Sequence, residues 1–201
     1  MEEHRAVAKI LVAMGIAALW LVPAPASAHF LGADSVDDGE IRYDERTEQD
    51  DALAPAIAVW NAEREIKITP DNIWNIQDLL VEDVNHTDDP HCGWWVESHS
   101  QDNIYINLPS FRPLSSDQKD HCMAHEFGHA LGLAHSFDGQ LMEEEFGDFP
   151  TVKPECHDKV DYHDKWGDGR VPECTAPPDP GTIPVPRDVS VPSTTIVDIN
   201  H

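Results

Sequence analysis

The chain has 201 residues, with 38 Asp and Glu against 13 Lys and Arg, giving a formal net charge of −25 at pH 7. That surplus argues against nucleic acid or an anionic membrane surface as a partner, since both would repel it. The length suffices for one domain with a sizeable core, and four cysteines point to an oxidising compartment.

Ile10 to Val22 is an apolar run of thirteen residues, too short for a comfortable membrane span. Ala26-Ser27-Ala28 follows it with the small residues of a cleavage site. Residues 1–28 therefore read as a secretory signal, although Glu2 and Glu3 offset Arg5 and Lys9. The mature chain is expected to begin at His29, secreted and away from the membrane. Residues 29–38 form a short acidic segment without regular pattern. Ile41 and Tyr43 alternate with polar neighbours, as a strand requires. Asp50 to Glu63 reads as a helix capped by Asp50 and Asp51, with Leu53, Ile57 and Trp60 at helical spacing and Pro55 near the first turn. Glu65–Thr69 and Asp78–Val84 read as the next two strands.

Asn85 to His91 is a polar turn containing the sequon Asn85-His86-Thr87, usable in a eukaryotic secretory host. His86, Asp88, His91 and His99 have a spacing that matches a second metal site poorly. The many aspartates leave room for Ca2+, without a recognisable loop for it. Gly93–Val96 and Asp102–Leu108 form the expected edge hairpin, with Trp94 and Trp95 near its groove.

Ser115-Ser116-Asp117-Gln118 fits a capping box and opens a helix whose apolar face carries Met123, Phe127, Ala130 and Leu131. The same helix begins the run from His125 to His135, which reads H-E-x-x-H-x-x-G-x-x-H. His125 and His129, four apart, lie one turn apart on one helical face and can share a cation. Glu126 projects beside that cation, within reach of a water on it. Gly132 can take positive φ and turn the chain back, so that His135 approaches from another side. Three histidines and one open position describe a catalytic Zn2+ site rather than a closed structural one. After Met142, the loop to Pro154 is expected to line a specificity pocket. Phe146 and Phe149 would floor it, and Glu143, Glu144 and Glu145 would favour a basic side chain. Residues 156–166 suggest a last helix, with His157 and His163 as surface residues. Residues 175–201 carry six prolines and read as a disordered or extended tail.

The stretch HEFGHALGLAHSFDGQLM, His125 to Met142, resembles the active-site helix and methionine turn of metzincin metallopeptidases, most of all the matrixin-type catalytic domains. Gly39 to Tyr43, Asp50 to Glu63 and Asp102 to Asn107 are similar to the first strand, first helix and edge strand of that family. The resemblance implies an α+β catalytic domain over residues 39–174. It has a twisted mixed β-sheet with two long helices above, and a small C-terminal subdomain with a Met-turn and final helix. It also implies a monomeric zinc metalloendopeptidase acting on proteins or peptides. Zn2+ would be held by His125, His129 and His135, Glu126 would be the general base, and Met142 would lie beneath the ligands. Asn103, Ile104, Tyr105, Ile106 and Asn107 would line the substrate.

Three departures from the family pattern stand out. No cysteine precedes Cys92, so a thiolate-on-zinc latency device is not expected. Glu143-Glu144-Glu145 replaces the proline or tyrosine common near the turn. No haemopexin-like domain is expected. The four cysteines allow three pairings, of which Cys92–Cys122 with Cys156–Cys174 is favoured. The alternative function is a catalytically weak or inactive, zinc-stabilised protein-binding module on the same fold. Glu126 speaks against it, because a pure binding site has no use for a general base.

Overall fold

The computed structural model describes residues 29–72 and 78–167, together with the backbone of 197–198. The expected signal segment, Cys174 and the rest of the tail lie outside the described residues.

The elements run β1 (Glu40–Arg46), α1 (Asp50–Asn61), β2 (Lys67–Pro70), β3 (Leu79–Val84), β4 (Gly93–Val96), β5 (Asp102–Asn107), α2 (Leu108–Phe111), α3 (Ser116–Ala130), β6 (Glu145–Phe146), α4 (Cys156–Trp166) and β7 (Val197–Asp198). Five strands form one mixed sheet in the order β2-β1-β3-β5-β4. All neighbours are parallel except β4, which runs antiparallel to β5. The architecture is α+β.

Alternation in β1 turns Ile41 and Tyr43 inward, where they join Leu53, Ala56 and Trp60 of α1 and Met123 and Phe127 of α3. Helices α1 and α3 pack together, and the Trp60 indole N–H donates to Ala124 O at 2.7 Å. Asn61 ends α1 by pairing with β2: its side chain donates to Ile68 O at 2.8 Å and accepts from Ile68 N at 2.7 Å. Asp50 and Asp51 sit in the first turn of α1, favourably placed for the helix dipole, but Gln49 is the N-cap and no side chain caps it. Helix α4 is docked from below by Tyr162, whose hydroxyl accepts from Ile66 N at 2.7 Å.

One expectation is corrected here. Strand β5 is not the edge of the sheet. Residues Asn103 to Asn107 pair with β3 on one side, and Asn103 to Ile106 pair with β4 on the other, so β4 is the outer strand. The sequence pattern of a hairpin does not say which of its arms joins the sheet. Within the segment expected to be disordered or extended, Val197–Asp198 pairs antiparallel with Glu145–Phe146. The Cys92–Cys122 disulfide joins the residue before β4 to α3. Cys156 is also disulfide-bonded, and its expected partner lies outside the described residues. Among the described residues no helix is long and apolar enough to cross a membrane.

Candidate metal centre

Helix α3 starts on the expected capping box: Ser115 Oγ accepts from Gln118 N at 3.4 Å, and Gln118 Oε1 accepts from Ser115 N at 3.0 Å. The helix ends in a tight hydrogen-bonded turn. Leu133 N donates to Gly128 O at 3.0 Å and Gly132 N to His129 O at 2.7 Å, the paired bonds of a Schellman motif. Gly132 takes φ of +80°, and a Cβ there would come within 2.7 Å of Lys165 Nζ on α4. Only glycine meets both demands.

Beyond that turn His135 swings back toward α3. The donor atoms of His125, His129 and His135 lie within 4.8 Å of one another, and the Nε2 atoms of His125 and His129 are 2.9 Å apart. His125 Nδ1 lies 2.9 Å from Leu141 O, and His129 Nδ1 lies 2.8 Å from Leu133 O. A carbonyl oxygen only accepts, so both Nδ1 atoms carry the proton and donate. Both Nε2 atoms therefore present lone pairs to each other at a separation normal for a hydrogen bond, with no proton between them. Burial, reinforced by the neighbouring histidines, holds the His125 imidazole well below its usual pKa, so protonation does not relieve the conflict. A cation does. The donor set is three imidazoles, two of them oriented by second hydrogen bonds, which suits zinc and neighbouring transition ions rather than calcium or magnesium.

Glu126 is fully buried, and neither carboxylate oxygen has a hydrogen-bond partner. Burial pushes its pKa up to about 8, while the nearby Trp95 N–H acts in the opposite sense without making a well-formed bond. The edge strand crosses directly over this side chain, since a Cβ on Gly93 would lie 3.3 Å from Glu126 Cγ.

Met142 lies against the histidine-bearing helix at Gly128. A Cβ on Gly128 would collide with Met142 Sδ and approach Trp60 Cζ2 to 3.0 Å, so the helix glycine admits the methionine. The turn carrying Met142 is held by Asp158 of α4. Asp158 accepts from Leu141 N at 2.7 Å, Met142 N at 3.2 Å, Glu155 N at 2.9 Å and Ser136 Oγ at 3.3 Å. Its carboxyl is nonetheless raised to about 6, because desolvation outweighs these donors. Sequence reasoning missed Asp158. The available signal was its position three residues after Glu155, at the start of the expected last helix, where it closes a capping box.

Other expected site residues fall elsewhere. Phe146 is buried against His121, whereas Phe149 is 96% exposed and floors nothing. Glu143 is buried and accepts from Gly139 N, leaving Glu144 and Glu145 exposed. His157, expected at the surface, is 1% exposed because α4 turns it toward the N-terminal segment. His86, Asp88, His91 and His99 form no metal-holding group among the described residues. A cleft of about 630 Å3, lined in part by Asp37, Asp38, Glu40, Asp78, Glu97 and Asp102, includes none of the three histidines.

No protein-family model matches the chain, and no curated protein matches its sequence. Among solved structures it is similar to the "GM1 bound form of the ECX AB5 holotoxin", with 15% identity over 67% of this chain and 83% of that chain, at a TM-score of 0.48. A likeness of that degree carries no argument about function.

Proposed function

We propose that the chain is a secreted zinc metalloendopeptidase with a metzincin-type catalytic domain of the matrixin kind. The observation that carries this reading is the juxtaposition of three converging imidazoles with a buried carboxylate that has no hydrogen-bond partner. A binding module would gain nothing from such a carboxylate, whose burial in that state is costly. His125, His129 and His135 would hold the zinc, which when bound would supply Lewis-acid activation of water and of the scissile carbonyl.

The chain's own residues do the rest. The Leu141 and Leu133 carbonyls fix the tautomers of His125 and His129, so that Nε2 of each is the ligand atom. Glu126 accepts the proton of the attacking water and returns it to the leaving amine. Its raised pKa suits both halves of that transfer, and a neighbouring cation draws it back toward neutral pH. Substrate adds as a further extended strand along β4, which has no strand on its outer side among the described residues. The closeness of Gly93 to Glu126 brings that edge beside the base. An open edge of this kind suits bonds inside a polypeptide. The Cys92–Cys122 cross-link agrees with an exported protein.

The test is cleavage of a complex peptide mixture, read by mass spectrometry, with and without a chelator. Glu126→Gln is expected to keep one zinc at the triad and lose about a hundredfold or more of turnover. Full turnover in that variant removes Glu126 from the mechanism. Absence of any zinc-dependent cleavage by the wild-type chain favours the inactive binding module instead.

A further inference from the structure

A second cluster of donor atoms assembles away from the triad, from His29, His157 and Asp161. His157 Nε2 lies 3.0 Å from His29 Nδ1, His29 Nδ1 lies 3.3 Å from Asp161 Oδ2, and His157 Nε2 lies 3.4 Å from that same oxygen. The three atoms form a nearly equilateral triangle. Ligand atoms around a tetrahedral ion with bonds of roughly 2.0–2.2 Å are about 3.3–3.6 Å apart. The triangle therefore has the dimensions of one face of such a coordination shell. We propose that His29, His157 and Asp161 form a second site for a divalent transition ion, zinc or copper, separate from the triad and independent of any peptidase activity.

Hydrogen bonding alone fits the cluster less well. Three acceptor-capable atoms face one point, and each N–H can lie along only one edge of the triangle. An ion at that point meets all three lone pairs together. His157 and Asp161 are four apart on α4, which puts them on one helical face, and their side chains are 1% and 4% exposed. Burial, partly offset by Asp161, lowers the pKa of the His157 ring. Phe137 closes one side, with its ring 5.2 Å from His29 and 4.6 Å from His157. The His29 side chain is 26% exposed, so a further ligand can enter from solvent. Two imidazoles and one carboxylate favour zinc or copper over calcium and magnesium, which prefer oxygen donors.

His29 is positioned by the backbone as well. Ala134 N donates to His29 O, and Leu31 N donates to Gly132 O, both at 2.9 Å. The N-terminal segment is thus laid along the turn that delivers His135, and an ion here ties that segment to α4. If the chain is cut after Ala28, His29 becomes its first residue. Its α-amino nitrogen and Nδ1 then close a six-membered chelate ring, adding a fourth protein donor.

The test uses the full secreted chain, its N-terminus verified by mass spectrometry, equilibrated with Zn2+, gel-filtered and assayed by elemental analysis. Wild type is expected to hold two zinc ions. His157→Ala and the near-isosteric Asp161→Asn are each expected to hold one and to keep peptidase activity. A His129→Ala/His135→Ala chain is expected to hold one at the new site, and adding His157→Ala should remove it. Cu2+ in that double variant should give an electron paramagnetic resonance spectrum with imidazole nitrogen couplings. The proposal is overturned if the folded double variant takes up no ion, if its copper spectrum lacks those couplings, or if neither His157→Ala nor Asp161→Asn changes the stoichiometry. Loss of both ions in the double variant while wild type cleaves peptide counts against this site alone. An inactive wild type that still yields one ion to His157→Ala counts against the peptidase alone. One extra residue ahead of His29 should weaken the second ion by roughly tenfold or more. Equal affinity overturns the part assigned to the amine.

Discussion

At Gly128 the missing Cβ decides where Met142 can lie. Met142 is 1% exposed, and Trp60, also against Gly128, is 0% exposed and held to Ala124 O by its indole N–H. Neither neighbour has room to retreat. Gly128→Ala is therefore expected to cost about 1–3 kcal/mol by overpacking, despite its gain in helix propensity. Urea denaturation measures it, with Gly147→Ala as control, since nothing lies within 4 Å of a Cβ there and the control should leave the midpoint nearly unchanged. A Gly128→Ala midpoint at or above wild type would show that the methionine packs elsewhere.

His121 carries the clearest pH signature. Its Nδ1 donates to Thr151 O at 2.7 Å, its Nε2 is buried without a partner, and burial lowers its pKa from 6.5 to about 4. A lowered histidine pKa means that the unfolded chain binds the proton first. The stabilising contribution is whole above about pH 6.5 and fades as pH falls through about 4, amounting to about 3 kcal/mol in all. His121→Asn preserves the donor to Thr151 O and removes the titrating ring. Stability of the variant measured against pH should fall less steeply than wild type between these limits, and parallel curves would contradict the assignment. The histidine spacing of the triad was legible in the sequence because it is a local helical repeat. The tautomers were not, since Leu141 O lies sixteen residues from His125 along a chain path that spacing does not encode.

Among elements, those with a strong local signal emerged close to their expected bounds: α1, α3 with its capping box, α4, and the inward alternation of β1. Which strand lies at the edge depends on pairing between segments far apart in sequence, and there the expectation for Asn103 to Asn107 failed. The burial of His157 failed for a related reason. Its partner His29 is 128 residues away, and no periodicity within α4 announces it.

The disulfide bears on the same edge. Cys92 and Cys122 are both fully buried and tie the start of β4 to α3 across a separation of 30 residues. Replacing both with alanine is expected to destabilise the fold by about 3–4 kcal/mol through loop entropy. It should also raise KM, because β4 is then held over Glu126 by packing alone. Urea midpoints and peptide kinetics test the two effects, and an unchanged midpoint would refute the stabilising role.

Across the whole molecule, α3 and the turn after it carry the histidines, while α4 holds the Leu141–Met142 turn that follows. Asp158 grips the turn carrying Met142, Tyr162 binds the backbone of Ile66, and Lys165 pairs with Asp34 at 3.0 Å beside Gly132. The ends of the described chain thus converge on the ligand-bearing turn, which the sequence offered only as scattered polar residues. The net charge of −25 spreads over a surface on which one cleft gathers several carboxylates. Metal uptake at the triad and hydrolysis of an internal peptide bond are joined in one measurement. The full chain is stripped by chelator, titrated with Zn2+, and assayed on a peptide mixture at each step. The account predicts no cleavage in the stripped protein and recovery that tracks ion bound to His125, His129 and His135, with no recovery in His129→Ala/His135→Ala. Cleavage that persists in the stripped chain or in that variant, or a triad that takes up no ion, would contradict it.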